Sequence, residues 1–161
     1  MSEAVRYVEE KLPASYLYRL GVYAQSCAQI EYYICSAICI SEGLNPSDEQ
    51  WLPRHDTLRV SAISSQISEL KKCSARLEAM DPWKKYFEEL TGWLSRENVD
   101  ARHLAIHGRH YQVGSTFYIN AQPKDHRLRE TPCTMNDIET VLKNADAILR
   151  ALVSFCETST D

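Results

Sequence analysis

The sequence predicts an all-α protein, a four- to five-helix bundle with a small β-hairpin inserted before the last helix. Three observations carry this. Apolar residues recur at steps of three and four over four long stretches. Only 5 Gly and 6 Pro occur in 161 residues, too few for a many-turned all-β fold. One short stretch switches to a period of two, around Gly114 and Ser115. The length suits a single domain over 1–161. At 44% apolar and 25% charged, the composition is that of an ordinary globular chain with a real core.

Residues 2–12 read as a short helix, with Ser2 as cap and Glu residues near its positive end. Pro13 breaks it or starts the next. A long helix follows over 14–42, with Leu17, Leu20, Ala24, Cys27, Ile30, Ile34, Ala37 and Ile38 as its stripe. Gly43 and LNPSDEQ stop it. Residues 48–55 form a connection, and a second long helix spans 56–79. Its cap is Asp56 or Thr57, and its apolar positions are Leu58, Val60, Ile63, Ile67, Leu70 and Leu77. Asp81-Pro82 is a strong restart, Asp as N-cap and Pro at the first helical position. The third main helix runs from Trp83 to about Ile106, and Gly108 suits its C-cap. RHYQV and TFYIN then alternate around Gly114-Ser115 as a hairpin over about 109–120. A polar loop follows over 121–130, with room for a third short strand. Thr134, with Asp137 three residues on, opens the last helix. Its stripe is Ile138, Val141, Leu142, Ala145, Ile148, Leu149 and Leu152, and the tail over 157–161 is expected to fray.

The net charge is −4, which excludes a general polyanion binder. The charge is unevenly spread. From Arg96 to Glu130 there are six Lys/Arg against four Asp/Glu, and His103, His107, His110 and His126 fall in the same window. Six Cys occur with no CxxC pair, so neither a zinc ribbon nor a thioredoxin motif is present. Cys27, Cys35 and Cys39 share helical spacing and read as small buried residues. No signal peptide and no run of 18 apolar residues are seen, so a cytoplasmic protein with reduced thiols and no membrane contact is expected.

The densest chemistry is NVDARHLAIHGRHY, residues 98–111. Three readings are open from residue types alone. His103, His107 and His110, with Asp100 nearby, make a metal site conceivable, although Leu104 stands where a zinc-protease helix needs Glu. Arg and His at a helix end also serve simply to satisfy carbonyls and complement the dipole. The third reading is an RNA-cleaving or phosphate-binding pair, an always-charged Arg fork beside a His able to move a proton at neutral pH. Residues five apart on a straight helix point about 140° apart. Arg102 and His107 therefore reach one phosphate only if the helix ends or distorts near Gly108, or if two copies face each other.

The string Arg102-His103-Leu104-Ala105-Ile106-His107-Gly108 resembles the signature of the HEPN superfamily, Arg, a polar residue (commonly Asn), three more residues, then His. AQIEYYI, with Glu31, resembles the Glu-bearing first helix of several such families. The resemblance implies a small helical bundle that dimerises with its motifs face to face. It implies a metal-independent endoribonuclease of single-stranded RNA, of toxin–antitoxin or phage-defence type, with no cofactor. Arg102 would stabilise the scissile phosphate, His107 would act as general acid or base, His103 would orient or assist, and Glu31 would hold Arg102 or His107. A regulatory partner such as an antitoxin is implied too. Inactive members imply the alternative, a helical module binding RNA, a nucleotide or a protein. Beside the motif, Arg109, His110, Lys124, His126, Arg127 and Arg129 offer an RNA-binding surface or a merely basic one; of these Arg109, His110 and Arg127 are the preferred RNA contacts. Tyr16, Tyr18, Tyr23, Tyr32 and Tyr33 suit core and interface packing more than base stacking.

Overall fold

The computed structural model describes residues 11–95, 108–121 and 129–159. The described chain is mostly helical, with a small antiparallel sheet. Helix α1 is Ala14–Ser41, α2 is Trp51–Arg59, α3 is Ile63–Arg76, α4 is Pro82–Trp93 and α5 is Met135–Thr158. Strands β1 (Arg109–Val113), β2 (Thr116–Ala121) and β3 (Arg129–Cys133) lie between α4 and α5 in chain order. The helix expected over 2–12 lies almost wholly outside the described residues. Among those residues, no helix is long and apolar enough to cross a membrane.

Helix α1 is the centre of the molecule. From Ile34 to Cys39 six consecutive residues are buried, so this part of the helix is covered on every side. Cys35, Ser36, Ala37 and Cys39 are small, which lets α2, α3 and α5 approach closely. Towards its N-terminal end the buried face carries Tyr16, Tyr23, Cys27 and Ile30. The expected Leu17, Leu20 and Ala24 are only half-buried. The Tyr16 ring reaches further than these aliphatic groups and fills the space beside the sheet, while Tyr23 joins the main core. Gly43 ends the helix in a left-handed conformation, φ +82°. Leu44 N–H then donates back to the Cys39 carbonyl, which also accepts from Glu42 N–H, and the last turn closes on itself.

The expected single helix over 56–79 is instead two, broken at Val60–Ala62. Side chains satisfy the break. The Leu58 carbonyl accepts from Ser61 Oγ at 2.7 Å and Gln66 Nε2 at 3.1 Å. Val60, expected on the buried stripe, is 86% exposed. The connection expected over 48–55 is helical from Trp51, because buried Trp51, His55 and Leu58 form one stripe against α1. Arg54 joins three elements. It donates to both Glu42 oxygens at 2.8 and 2.6 Å, and to Glu69 at 3.2 Å. These hydrogen bonds, first of all, hold the Glu42 carboxyl below the usual carboxylate range.

Helix α4 begins as its sequence predicts, with Asp81 Oδ1 accepting from Trp83 N–H at 2.8 Å. Phe87, Leu90 and Leu94 enter the core. The helix widens into a π-type turn at Leu94 and Ser95, and residues 96–107 of the expected helix lie outside the described part. The hairpin is present with Val113 paired to Thr116 and Gly114 at φ +61°. The sheet has three strands in the order β1-β2-β3, one more than the hairpin alone. Pro132 is tolerated because β3 is an edge strand. The sheet is seated by a small second core of Leu12, Tyr16 and Phe117, in which Tyr16 and Phe117 stack at 4.4 Å.

Helix α5 carries the full capping box, Thr134 Oγ1 accepting from Asp137 N–H and Asp137 Oδ2 accepting from Thr134 N–H. It runs through Thr158, further than the expected fraying point. It packs along α1, and Arg19 of α1 pairs with Glu139 of α5. Thr134→Ala is expected to lower stability by about 1 kcal/mol in a denaturant titration, with no change in m-value. A cost near zero would show that α5 is held by packing alone.

All six cysteines are thiols rather than disulfides, and only Cys133 is not buried. Burial pushes the Cys35 and Cys156 thiols up to about 12 and Cys39 up to about 11. Alkylation of the native protein with iodoacetamide at pH 7.5, read by mass spectrometry, is expected to label Cys133 well before the other five. Comparable labelling of all six would contradict the packing of α1.

Candidate functional site

The described residues form one polar cleft that includes an expected site residue. It has a volume of about 460 Å³ and lies among the middle of α1, the end of α2 and the first turn of α3. Its described lining is Ala28, Gln29, Glu31, Tyr32, Arg59 and Gln66. Helix α1 places Tyr32 here because Ile30 and Ile34, on the opposite side, are drawn into the core, and Glu31 lies between the two faces. The break at Val60–Ala62 turns the chain so that Arg59 and Gln66 face the same space.

Glu31 is half-buried on the cleft wall. Arg59 stands opposite in charge, its side chain 57% exposed and its guanidinium 3.8 Å from Asp56. Both act on the Cys35 thiol beneath. Burial is the main reason that thiol is raised; Cys39 and Glu31 add to it and Arg59 opposes it. Gln66 is buried, at 2% exposure. Its Nε2 donates to the Leu58 carbonyl, which fixes the orientation of the amide. Its Oε1 has no hydrogen-bond partner among the described residues.

Tyr32 is 44% exposed and forms the aromatic wall. Its ring is fixed by Tyr33 at 5.4 Å, edge to face, and by His55 at 4.7 Å. His55 is itself buried, stacked on Trp51, with Nε2 3.1 Å from Ser36 Oγ and 3.3 Å from the Tyr32 carbonyl. Burial, above its other influences, lowers the proton affinity of this imidazole. His55 is thus a neutral support for the tyrosine wall at physiological pH.

The other expected residues lie apart from the cleft or outside the described residues. Arg102, His103, His107 and Arg127 are outside them. Arg109 is exposed at the start of β1. His110, half-buried, places Nδ1 2.7 Å from Tyr16 Oη and so ties the sheet to α1. Burial raises the Tyr16 hydroxyl to about 12, so it remains protonated at neutral pH. Tyr16 and Glu31 are fifteen residues apart, about 22 Å along the helix axis. His110 and the cleft are therefore two places on one helix. Among the described residues, no three His, Cys, Asp or Glu gather as metal ligands.

Arg59, Gln66 and His55 are functional candidates that the sequence reading passed over. The signal was present for two of them. His55 lies between Trp51 and Leu58, and Gln66 lies between Ile63 and Leu70, each a polar group at a buried helical position. No protein-family model, curated protein or solved structure matches the chain.

The lowered proton affinity of His55 sets a pH dependence. As pH falls, the unfolded chain takes up this proton before the folded one. The associated stability is complete above the ordinary imidazole range and is lost as pH drops through it. His55→Asn is expected to flatten the decline in melting temperature between pH 8 and pH 5, and to cost about 1–3 kcal/mol at neutral pH. An unchanged decline would show that His55 titrates as it does in the unfolded chain.

Proposed function

We propose that this protein is a metal-independent endoribonuclease of the HEPN type that acts on single-stranded RNA as a homodimer. The observation that carries the reading is the string Arg102-His103-Leu104-Ala105-Ile106-His107-Gly108, followed at once by the exposed Arg109. The mostly helical architecture supports it, as does the position of Glu31 on a long helix at the wall of a polar cleft. Toxin or phage-defence activity, restrained by a regulatory partner, is the setting this reading implies.

The chemistry needs few groups. The 2′-hydroxyl loses its proton to a base and attacks the adjacent phosphorus. The bond to the 5′ oxygen breaks, and that oxygen takes up a proton. The products are a 2′,3′-cyclic phosphate and a 5′-hydroxyl. His107 moves one of these protons. Arg102 carries a permanent charge and stabilises the additional negative charge on the phosphorane. His103 orients the scissile group, and Glu31 holds Arg102 or His107. Arg109 and Arg127 contact the backbone on either side. Facing motifs in the dimer resolve the 140° separation of Arg102 and His107 on one helix.

The test is incubation of labelled single-stranded RNA with the purified protein in excess EDTA. Wild type is expected to cleave, and His107→Ala and Arg102→Ala to be slower by about 10²-fold or more. Absence of cleavage by folded, dimeric wild type across several RNAs would replace this reading with a non-catalytic binding module. Equal cleavage by all three proteins would overturn the residue assignments.

A further inference from the structure

The two faces of the sheet differ in chemistry. Strand pairing puts His110, Gln112, Phe117, Ile119 and Cys133 on one face. Phe117 of that face stacks on Tyr16 and seats the sheet on α1. Alternation puts Arg109, Tyr111, Val113, Tyr118 and Asn120 on the other. On this outer face Arg109 and Pro132 are exposed, and the apolar Val113 is 61% exposed.

Tyr111 and Tyr118 face each other across the β1–β2 pair. Their ring centroids are 5.5 Å apart and their planes 19° from parallel. Neither ring is fully buried. On one side of this short stack, Tyr118 has Pro132 as its neighbour in the register. On the other side β1 is an edge strand, so the stack ends at Tyr111 with no further described strand beside it. Arg109 stands two residues before Tyr111 on the same face, about 7 Å away along the strand. Its row continues with Asn120 and Glu130, so the positive charge is on the β1 side.

An aromatic stack that ends beside an exposed cation matches a nucleotide, whose base extends the stack while its phosphate pairs with the guanidinium. A neutral sugar also stacks on tyrosine but makes no use of Arg109. A duplex keeps its bases stacked on one another, so only a single strand offers one. The sheet also belongs to the net-basic window from Arg96 to Glu130 of an otherwise acidic chain. Four residues of chain, at most about 14 Å, separate Tyr111 from His107.

We propose that the outer face of the sheet binds single-stranded RNA, with one base continuing the Tyr118–Tyr111 stack and Arg109 holding an adjacent phosphate. The proposal deepens the ribonuclease reading and rests on it for the choice of RNA.

The test is fluorescence anisotropy of the full chain with a short, labelled 2′-O-methyl RNA strand of mixed sequence. Methylation removes the attacking hydroxyl, so binding is read without cleavage. The strand is expected to bind at least tenfold more tightly than a duplex of the same sequence. Tyr111→Leu is expected to weaken it about tenfold, whereas Tyr111→Phe, which keeps the ring, holds affinity within about twofold. Arg109→Gln is expected to lower the slope of log affinity against log salt by about 0.7. Tyr18→Leu, at a 72% exposed tyrosine of α1, is expected to change nothing. Thermal melting checks the fold of each variant. Absent binding, or equal binding of strand and duplex, overturns the proposal. So does unchanged affinity in folded Tyr111→Leu. Should that variant not fold, an unchanged salt slope in Arg109→Gln overturns it instead. RNA cleavage that Tyr111→Leu leaves unaltered at all RNA concentrations removes this surface and leaves the ribonuclease reading standing. Tyr111-dependent binding by a protein that cleaves no RNA does the reverse.

Discussion

The burial of helix α1 is the constraint on which the rest of the structure depends. A helix covered on every side over Ile34–Cys39 needs neighbours at more than one angle, and α2, α3 and α5 supply them. Small side chains at those positions fix the approach of the neighbours, since a larger one would meet atoms already in contact. The N-terminal half of the same helix seats the sheet through Tyr16. One element thus organises both the bundle and its β appendage.

That constraint also makes the polar interior. Where α2 and α3 meet α1, the chain breaks, and the break is satisfied by Ser61 and Gln66 rather than by a continuing helix. His55 and Ser36 are buried together at the adjacent turn. These polar groups are costly to bury, and each is matched to a partner in the packed chain. The cleft opens beside them, with Glu31 and Arg59 on its walls.

The start and end signals were legible where their chemistry is local. Asp81-Pro82, Thr134 with Asp137, Gly43 and Gly114 act through bonds and dihedral angles within a few residues, and each stands where its residue type places it. The division of α2 from α3 was not legible. Val60, Ile63, Ile67 and Leu70 keep helical spacing across it, and the bond from Gln66 to the Leu58 carbonyl that supports the break forms only once the chain has turned. In the site, Glu31 is marked by its place in AQIEYYI, between apolar and aromatic neighbours. Arg59 is not, because a lone Arg on a helix end carries no local signal. His55 and Gln66 carry only a weak signal, because apolar periodicity does not distinguish a polar residue on the buried stripe from one facing solvent.

The pairing of α1 with α5 has a consequence during synthesis. Arg19 meets Glu139, and Tyr33 meets Cys156, across 120 and 123 residues of chain. At a ribosomal rate of about 5–20 residues per second, roughly 6–24 s separate the emergence of these partners. For that interval the side of α1 that α5 will cover has no final neighbour. The nascent chain must pass through a stage in which isoleucine and cysteine side chains are open to chaperones and to other polypeptides, and only the arrival of α5 closes it.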